Sequence, residues 1–177
     1  VRVAAMQWSG RVLAVRVAGK CGATVADIVD GMRWAAGLPV TGAPLNPTPA
    51  RVVTVSFGGS AACSPAYREA LDDLRAAGAV VVAAAGNEHG AVLRPANCEG
   101  VIGVGAVNRD GFKTTYSNFG PELLLSTVGG DPSGVALQPI AQGSVLRGAS
   151  GRVVEGVLQR GRRRCLPIGD LRGDGDQ

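Results

Sequence analysis

The stretch VVVAAAGNEHG, Val80 to Gly90, places six small or apolar residues directly before Gly86 and Asn87. A short apolar run that ends in turn residues predicts a buried strand. A polar amide at the end of such a strand is usually a turn residue. Alternatively, the strand holds the amide in place for chemistry. The rest of the chain has to decide between these two interpretations.

The segments around this strand alternate between strand and helix patterns. Thr24 and Ser64 each cap a helix, and the helices end at Gly37 and Gly78. The other predicted strands are Arg11–Val17, Arg51–Gly59 and Val101–Val107. The predicted apolar helix faces are Val25, Ile28, Val29, Met32, Ala35 and Ala36 in the first helix, and Tyr67, Ala70, Leu71, Leu74 and Ala77 in the second. The order predicts an α/β fold with a mostly parallel sheet flanked by helices.

The chain of 177 residues has the length of one domain, and 46% of its residues are hydrophobic. After about Leu125 the pattern changes, and the sequence becomes rich in Arg and Gly. We therefore predict a folded domain over residues 1–128 and a poorly ordered tail over residues 129–177. One short helical pattern lies in this tail, at Arg152–Gln159.

The net charge of +4 is spread along the chain. Residues 1–128 carry 11 basic and 9 acidic side chains, and residues 129–177 carry 7 and 5. This distribution predicts neither a nucleic-acid partner nor a basic membrane-binding face. The longest apolar run, Ala79–Ala85, is far shorter than the roughly 20 residues that span a bilayer. The sequence shows no signal peptide, but it opens on Val1 rather than Met, so this says little about export.

Four cysteines, Cys21, Cys63, Cys98 and Cys165, lie far apart and form no CxxC pair. This spacing is a poor fit to a zinc site. It suits disulfide bonds in an exported protein, and buried free thiols are the alternative.

Two predicted strands end in residues suited to chemistry. Ser56-Phe57-Gly58-Gly59 ends one strand, and Ala85-Gly86-Asn87 ends the next. Ligands of parallel sheets meet the carboxyl ends of the strands. A glycine-rich strand edge can bind an extended peptide as a further strand. An amide side chain beside that edge could donate a hydrogen bond to an oxygen that gains charge during acyl transfer.

The segments VVTVSFGG, AVVVAAAGNEHG, RPANCEGVIGVGAV and TYSNFG follow one another in an order and spacing that resemble the subtilisin-like serine proteases (subtilases). The resemblance covers about residues 11–120, the central part of the catalytic domain, and is closest to the secreted bacterial branch. It implies a subtilisin-like three-layer fold, here truncated, and a secreted endopeptidase acting on extended polypeptides. Asn87 matches the oxyanion-hole residue. Ser56, Phe57 and Gly58 match the substrate-binding strand, and Ala84, Ala85 and Gly86 match a wall of the primary specificity pocket.

The sequence also departs from this family. The family's catalytic Asp and His lie in motifs upstream of the first strand, and the only histidine, His89, lies in a loop where a solvated side chain is the default. The nucleophile should open a long apolar helix. Ser150 has the bare GxS spacing, but Arg152 and Glu155 follow it. We therefore expect this polypeptide alone not to hydrolyse peptides, because it lacks a general base. A non-catalytic peptide-binding protein is the alternative.

The end positions of the predicted strands suggest a disulfide. Cys21 follows the strand Arg11–Val17, and Cys63 follows the strand Arg51–Phe57. If these strands are parallel neighbours, both thiols lie at one end of the sheet, which predicts a Cys21–Cys63 bond. Cys165 would then be the only partner left for Cys98. We expect a monomer without a cofactor. Calcium is common in the family, but the sequence shows no convincing acidic cluster for it.

Two further sequence patterns bear on other classes of function. VIGVGAVNRDG has a GxG after a strand, but a turn follows in place of the helix that a dinucleotide site needs. The run GRRRC, Gly161–Cys165, could contact phosphates, but Asp170, Asp174 and Asp176 follow it and oppose such binding. Neither pattern favours a nucleotide or nucleic-acid ligand.

Overall fold

A computed structural model describes residues 10–108 and 110–129 and the backbone of residues 153–155. The helices and strands are α1 (Val25–Ala35), β1 (Val52–Val55), α2 (Pro65–Ala76), β2 (Val80–Ala84), β3 (Ile102–Val107), β4 (Leu123–Val128) and β5 (Val153–Glu155). The strands form one parallel sheet in the order β4-β3-β2-β1-β5. In the described part of the chain, no helix is long and apolar enough to cross a membrane.

Both helices begin at the predicted caps. The Thr24 hydroxyl accepts the amide of Asp27 at 3.1 Å, and the Asp27 carboxylate accepts the amide of Thr24, which completes a capping box. In α2 the Ser64 hydroxyl accepts the amide of Tyr67, and Pro65 opens the first turn. The predicted start of each helix is therefore confirmed.

The core lies between the helices and one face of the sheet. Val53 of β1 pairs with Val81 of β2, and Val55 pairs with Ala83, so these four side chains share one face. The buried helix residues that pack against this face are Ile28, Val29, Met32, Ala35, Tyr67, Ala70, Leu71 and Leu74. Arg33 of α1 joins the two helices by two hydrogen bonds to Asp73, of 2.6 and 3.0 Å. The described residues thus form two of the three predicted layers.

The first predicted strand is not found as a strand. Residues 11–17 contain only an isolated bridge at Val12, and the neighbours of β1 are β2 and β5. Leu13, Val15 and Val17 still alternate and pack against the core. The predicted alternation of core-facing and outward-facing side chains is therefore present, but alternation does not show whether a segment has a hydrogen-bonded neighbour strand.

The residues after the predicted domain boundary also differ from expectation where they are described. Val153–Glu155, which fell within a helical pattern, forms the strand β5 beside β1. β4 was not predicted as a strand, although Leu123–Val128 is a largely apolar run. The predicted boundary at residue 128 stays a prediction.

The predicted Cys21–Cys63 disulfide is wrong. Cys63 is bonded to Cys98, with Cα atoms 5.1 Å apart, while Cys21 is a free, exposed thiol. The prediction assumed that residues 11–17 neighbour β1. Instead, the chain after β2 folds back so that the Asn97 side chain donates to the carbonyl of Ala61 at 3.0 Å. This return brings Cys98 to Cys63, which supplies the partner that the sequence left open for Cys98. Cys165 itself lies outside the described residues.

Candidate active site

The carboxyl ends of β1 and β2 lie at the same edge of the sheet, because the two strands are parallel neighbours with Val55 opposite Ala83. The residues that follow them line one cavity of about 230 Å³. From the predicted site, this cavity is lined by Ser56, Ala84, Ala85, Gly86 and Asn87. Ala85 is buried, whereas Asn87 is exposed at the rim. The two sequence segments singled out for chemistry are thus brought together.

Phe57 and Gly58 continue the chain beyond Ser56 but do not line the cavity. Gly58 lies against the chain's own backbone, since a Cβ atom added there would be 2.6 Å from the carbonyl oxygen of Arg94. Gly59 and Arg94 exchange two backbone hydrogen bonds, of 3.1 and 3.2 Å. In the structure, the backbone that lies close to these glycines is that of Arg94 of the same chain.

Hydrogen bonds fix the end of β2 from three sides. The amide of Ala85 donates to the carbonyl of Val104 at 2.9 Å, which extends the pairing with β3. The carbonyl of Ala85 accepts the amide of Leu93 at 2.9 Å and the side chain of Asn118 at 3.1 Å. Gly86 then turns the chain with a φ of 109°. Asn87 therefore follows a backbone that has little freedom to move.

The other wall of the cavity was not predicted. It consists of Val104, Gly105, Ala106, Tyr116, Ser117 and Gly129. Ser117 is held against β3, because its hydroxyl accepts the amide of Ala106 at 2.9 Å. The segment TYSNFG was part of the resemblance, but the spacing of its residues could not show that it folds back onto β3. Buried Asn118 in this segment was missed for the same reason.

The cavity wall carries no charged side chain among the described residues. Its residues are mostly Gly, Ala and Ser, so the space suits a neutral group. Asn87 and the hydroxyl-bearing residues Ser56, Tyr116 and Ser117 provide its polar side chains. This arrangement can bind an uncharged side chain while presenting a hydrogen-bond donor at the rim.

His89 does not line the cavity. It is exposed, adopts a φ of 54°, and its Nδ1 atom contacts the carbonyl oxygen of Thr115. The Lys113 ammonium group lies 3.4 Å from the same Nδ1 atom. The geometry agrees with a solvated loop histidine. Ser150 lies outside the described residues.

In the described ranges, no three His, Cys, Asp or Glu side chains approach closely enough to hold a metal ion.

The sequence matches the subtilase family over residues 3–152. The chain belongs to this family. The match runs past residue 128 into residues 129–152, which belong to the segment predicted to be a poorly ordered tail. The family resemblance inferred from the strand-end motifs is therefore confirmed.

Two curated relatives of the chain are named as proteases. The chain is 42% identical over 129 residues to an extracellular protease of Xanthomonas campestris pv. campestris, covering 72% of this chain and 22% of the relative. It is 40% identical over 131 residues to an extracellular basic protease of Dichelobacter nodosus, covering 73% and 22%. The subtilase chain thus spans about a fifth of the length of these relatives.

A solved structure of a protease from Pseudoalteromonas arctica PAMC 21717 is 43% identical, with a TM-score of 0.63 over 65% of this chain and 34% of that one. A lanthipeptide protease at 19% identity has a TM-score of 0.54, which bears on the fold alone. Together with the parallel sheet and its helices, these similarities confirm the predicted α/β fold.

Proposed function

We propose that this chain supplies the peptide-binding and oxyanion-stabilising part of the catalytic domain of a secreted serine endopeptidase. The observation that carries the proposal is the meeting of Ser56 and Asn87 at one cavity, at the carboxyl ends of β1 and β2. The membership of the subtilase family and the names of the extracellular relatives support the reaction class and the location.

Each predicted site residue has a role in this proposal. The backbone of Ser56, Phe57 and Gly58 binds an extended substrate as an added strand. Ala84, Ala85 and Gly86 form a wall of the pocket for the substrate side chain before the scissile bond. The side-chain amide of Asn87 donates a hydrogen bond to the carbonyl oxygen that becomes negative during acyl transfer.

We further propose that this polypeptide alone does not hydrolyse peptides. Acyl transfer by a serine needs a general base that takes the hydroxyl proton. The sequence contains one histidine, and His89 does not line the cavity; its Nδ1 atom contacts the backbone carbonyl of Thr115. Peptide binding without hydrolysis is the function expected of the isolated chain, which we expect to be a monomer.

The proposal is tested by titrating the ¹⁵N-labelled chain with an acetylated peptide of four small apolar residues. We expect the amide signals of residues 56–58 and 84–87 to shift, while those around Arg33 and Asp73 stay unchanged. The matched control is the same peptide with N-methylated backbone amides, which cannot pair as a strand. Equal shifts with both peptides, or no shifts at residues 56–58 and 84–87, would contradict strand addition at this edge.

Mass spectrometry of the same samples tests hydrolysis. We expect the peptide to stay intact over a long incubation with the purified chain. Cleavage that persists through repurification and is abolished by Asn87→Ala would contradict the expected lack of activity.

A further inference from the structure

The turn that carries Asn87, residues 85–90, lies beside residues 116–119. Three backbone hydrogen bonds join them: Asn118 N–H to Gly86 O at 3.1 Å, His89 N–H to Tyr116 O at 2.9 Å, and Phe119 N–H to Gly90 O at 2.9 Å. These bonds place the turn next to the segment but leave the amides of Asn87, Glu88 and Gly90 to side chains.

The buried side chain of Asn118 accepts hydrogen bonds from two of these amides. It is 0% exposed. Its Oδ1 atom accepts the amides of Glu88 at 3.0 Å and Gly90 at 2.9 Å. Its Nδ2 atom donates to the carbonyl of Ala85 at 3.1 Å and to a carboxylate oxygen of Glu88 at 2.8 Å. An amide side chain offers two donors and two acceptor sites, so all four are engaged with this one turn.

Glu88 completes the network. The same oxygen, Oε2, that accepts from Asn118 also accepts the backbone amide of Asn87 at 2.7 Å. Hydrogen bonds to a charged acceptor are stronger than those between neutral groups. The backbone of Asn87 is therefore tied, through a carboxylate, to a fully buried amide.

We propose that Asn118 and Glu88 are positioning residues for Asn87. Asn118 sets the path of the turn and Glu88 fixes the Asn87 backbone, so that the Asn87 amide side chain is held at the cavity rim. The positioning of Asn87 for catalysis by Asn118 and Glu88 rests on the proposed function of Asn87 as an oxyanion donor. The claim that Asn118 and Glu88 hold the turn does not depend on that function, and it has a separate test.

That separate test is amide hydrogen exchange of the free chain. In Asn118→Ala we expect exchange at Glu88 and Gly90 to become about tenfold faster, since each amide loses its acceptor. The matched control is Asn97→Ala, which removes an amide side chain that bonds Ala61, outside the turn. Unchanged rates at Glu88 and Gly90 in Asn118→Ala, or equal changes in Asn97→Ala, would overturn the proposal.

Exposed Glu88 provides a second variant that keeps the test valid if Asn118→Ala fails to fold. In Glu88→Ala we expect the Asn87 amide to exchange about tenfold faster. Glu88→Gln removes the charge but keeps an acceptor oxygen, so it should preserve most of the protection. Equal rates at Asn87 in the wild type and Glu88→Ala would overturn the role given to Glu88.

The link to Asn87 is tested by the ratio of affinities for a peptide with a C-terminal carboxylate and the same peptide with a C-terminal amide. A general loss of stability lowers both affinities and leaves the ratio unchanged. We expect a smaller preference for the carboxylate in Asn118→Ala than in the wild type, and in Glu88→Ala than in Glu88→Gln. In the Asn87→Ala background, neither variant should change the ratio further.

The outcomes separate the two proposals. If the ratio of carboxylate to amide affinities is the same in Asn87→Ala and in the wild type, the proposed function is contradicted. The amide exchange rates still decide whether Asn118 and Glu88 hold the turn. A ratio that falls in Asn87→Ala but not in Asn118→Ala or Glu88→Ala overturns the positioning role alone.

Discussion

Gly86 has little room for any side chain at the candidate site. Its φ of 109° disfavours every L-residue with a Cβ atom. A Cβ atom there would lie 2.3 Å from the Asn118 side chain and 2.6 Å from the Glu88 carboxylate. The turn and the hydrogen-bond network beside it therefore both depend on a glycine at this position.

For Gly86→Ala we expect the free energy of unfolding to fall by about 3 kcal/mol, from backbone strain and overpacking together. Gly42→Ala is the matched control, because Gly42 has a φ of 80° but no atom within 4 Å of an added Cβ. It should cost about 1 kcal/mol from strain alone. Urea unfolding measures the free energy of unfolding of both variants. An equal loss in Gly86→Ala and Gly42→Ala would show that the atoms around Gly86 do not limit the side chain at this position.

Tyr67 provides a test of burial in the core. Its side chain is 2% exposed, and burial raises the pKa of its phenol above the ordinary value of 10.0, while nearby Arg94 opposes the shift. Because the folded pKa is raised, the folded state resists ionisation of this group. The stability it contributes is fully present below about pH 10 and is lost as the pH rises toward the folded pKa.

We therefore expect stability to fall more steeply in the wild type than in Tyr67→Phe as the pH rises above about 10. Both proteins should carry Cys21→Ser and Cys165→Ser, so that no other cysteine can exchange with the Cys63–Cys98 disulfide at high pH. Parallel pH profiles for the two proteins would contradict the assigned burial of the phenol.

At the residue scale, sequence patterns located Asn87 but not the residues that hold it. Asn87 stands out as a polar residue at the end of an apolar strand, and Gly86 precedes it as the expected turn residue. Asn118 and Glu88 lie 30 residues apart in the chain, and no local pattern indicates that they meet. Side-chain contacts between distant segments depend on how the turns fold, which periodicity does not encode.

At the scale of single elements, the caps at Thr24 and Ser64 were predictable because each motif is satisfied within a few residues. For Thr24→Ala we expect a loss of about 1 kcal/mol in the free energy of unfolding, since the amide of Asp27 loses its acceptor. Thr24→Ser keeps the hydroxyl and should cost little. An equal loss in the two variants, measured by thermal unfolding, would contradict the capping role.

The strands were predictable where the apolar run is continuous, as in β2 and β3. Residues 11–17 show where this fails: their alternation is visible in the sequence, but the described strands leave them without a ladder. Pairing is a property of two segments, and a pattern in one of them does not name the other.

At the scale of the whole molecule, the sequence predicted the wrong disulfide partners for the same reason: a local pattern does not show which segments lie side by side. The even number of cysteines favoured bonds between them, but the partners depended on which strands neighbour each other. The return of the chain at Leu93–Arg94 toward Gly59 decides the pairing. Nothing in the spacing of the cysteines indicates this return.

The Cys63–Cys98 bond closes a loop between residues 35 positions apart, so we expect its removal to cost about 4 kcal/mol. Chemical unfolding should show this loss in Cys63→Ser and in Cys98→Ser. Cys21→Ser, at a free and exposed thiol, should be nearly neutral. A non-reducing peptide map that links Cys21 to Cys63, or a large loss in Cys21→Ser, would contradict the observed pairing.

The central claim is that the Asn87 side chain donates a hydrogen bond to a negative oxygen at the cavity rim. The most direct measurement is the ratio of dissociation constants for the C-terminal carboxylate and C-terminal amide forms of one bound peptide. A hydrogen bond to a charged group contributes about 1.5–3 kcal/mol and one to a neutral carbonyl about 0.5–1.5 kcal/mol, so the wild type should prefer the carboxylate by about tenfold. Asn87→Ala should lose this preference and Asn87→Asp should reverse it. The same ratio in the wild type and in Asn87→Ala would contradict the claim.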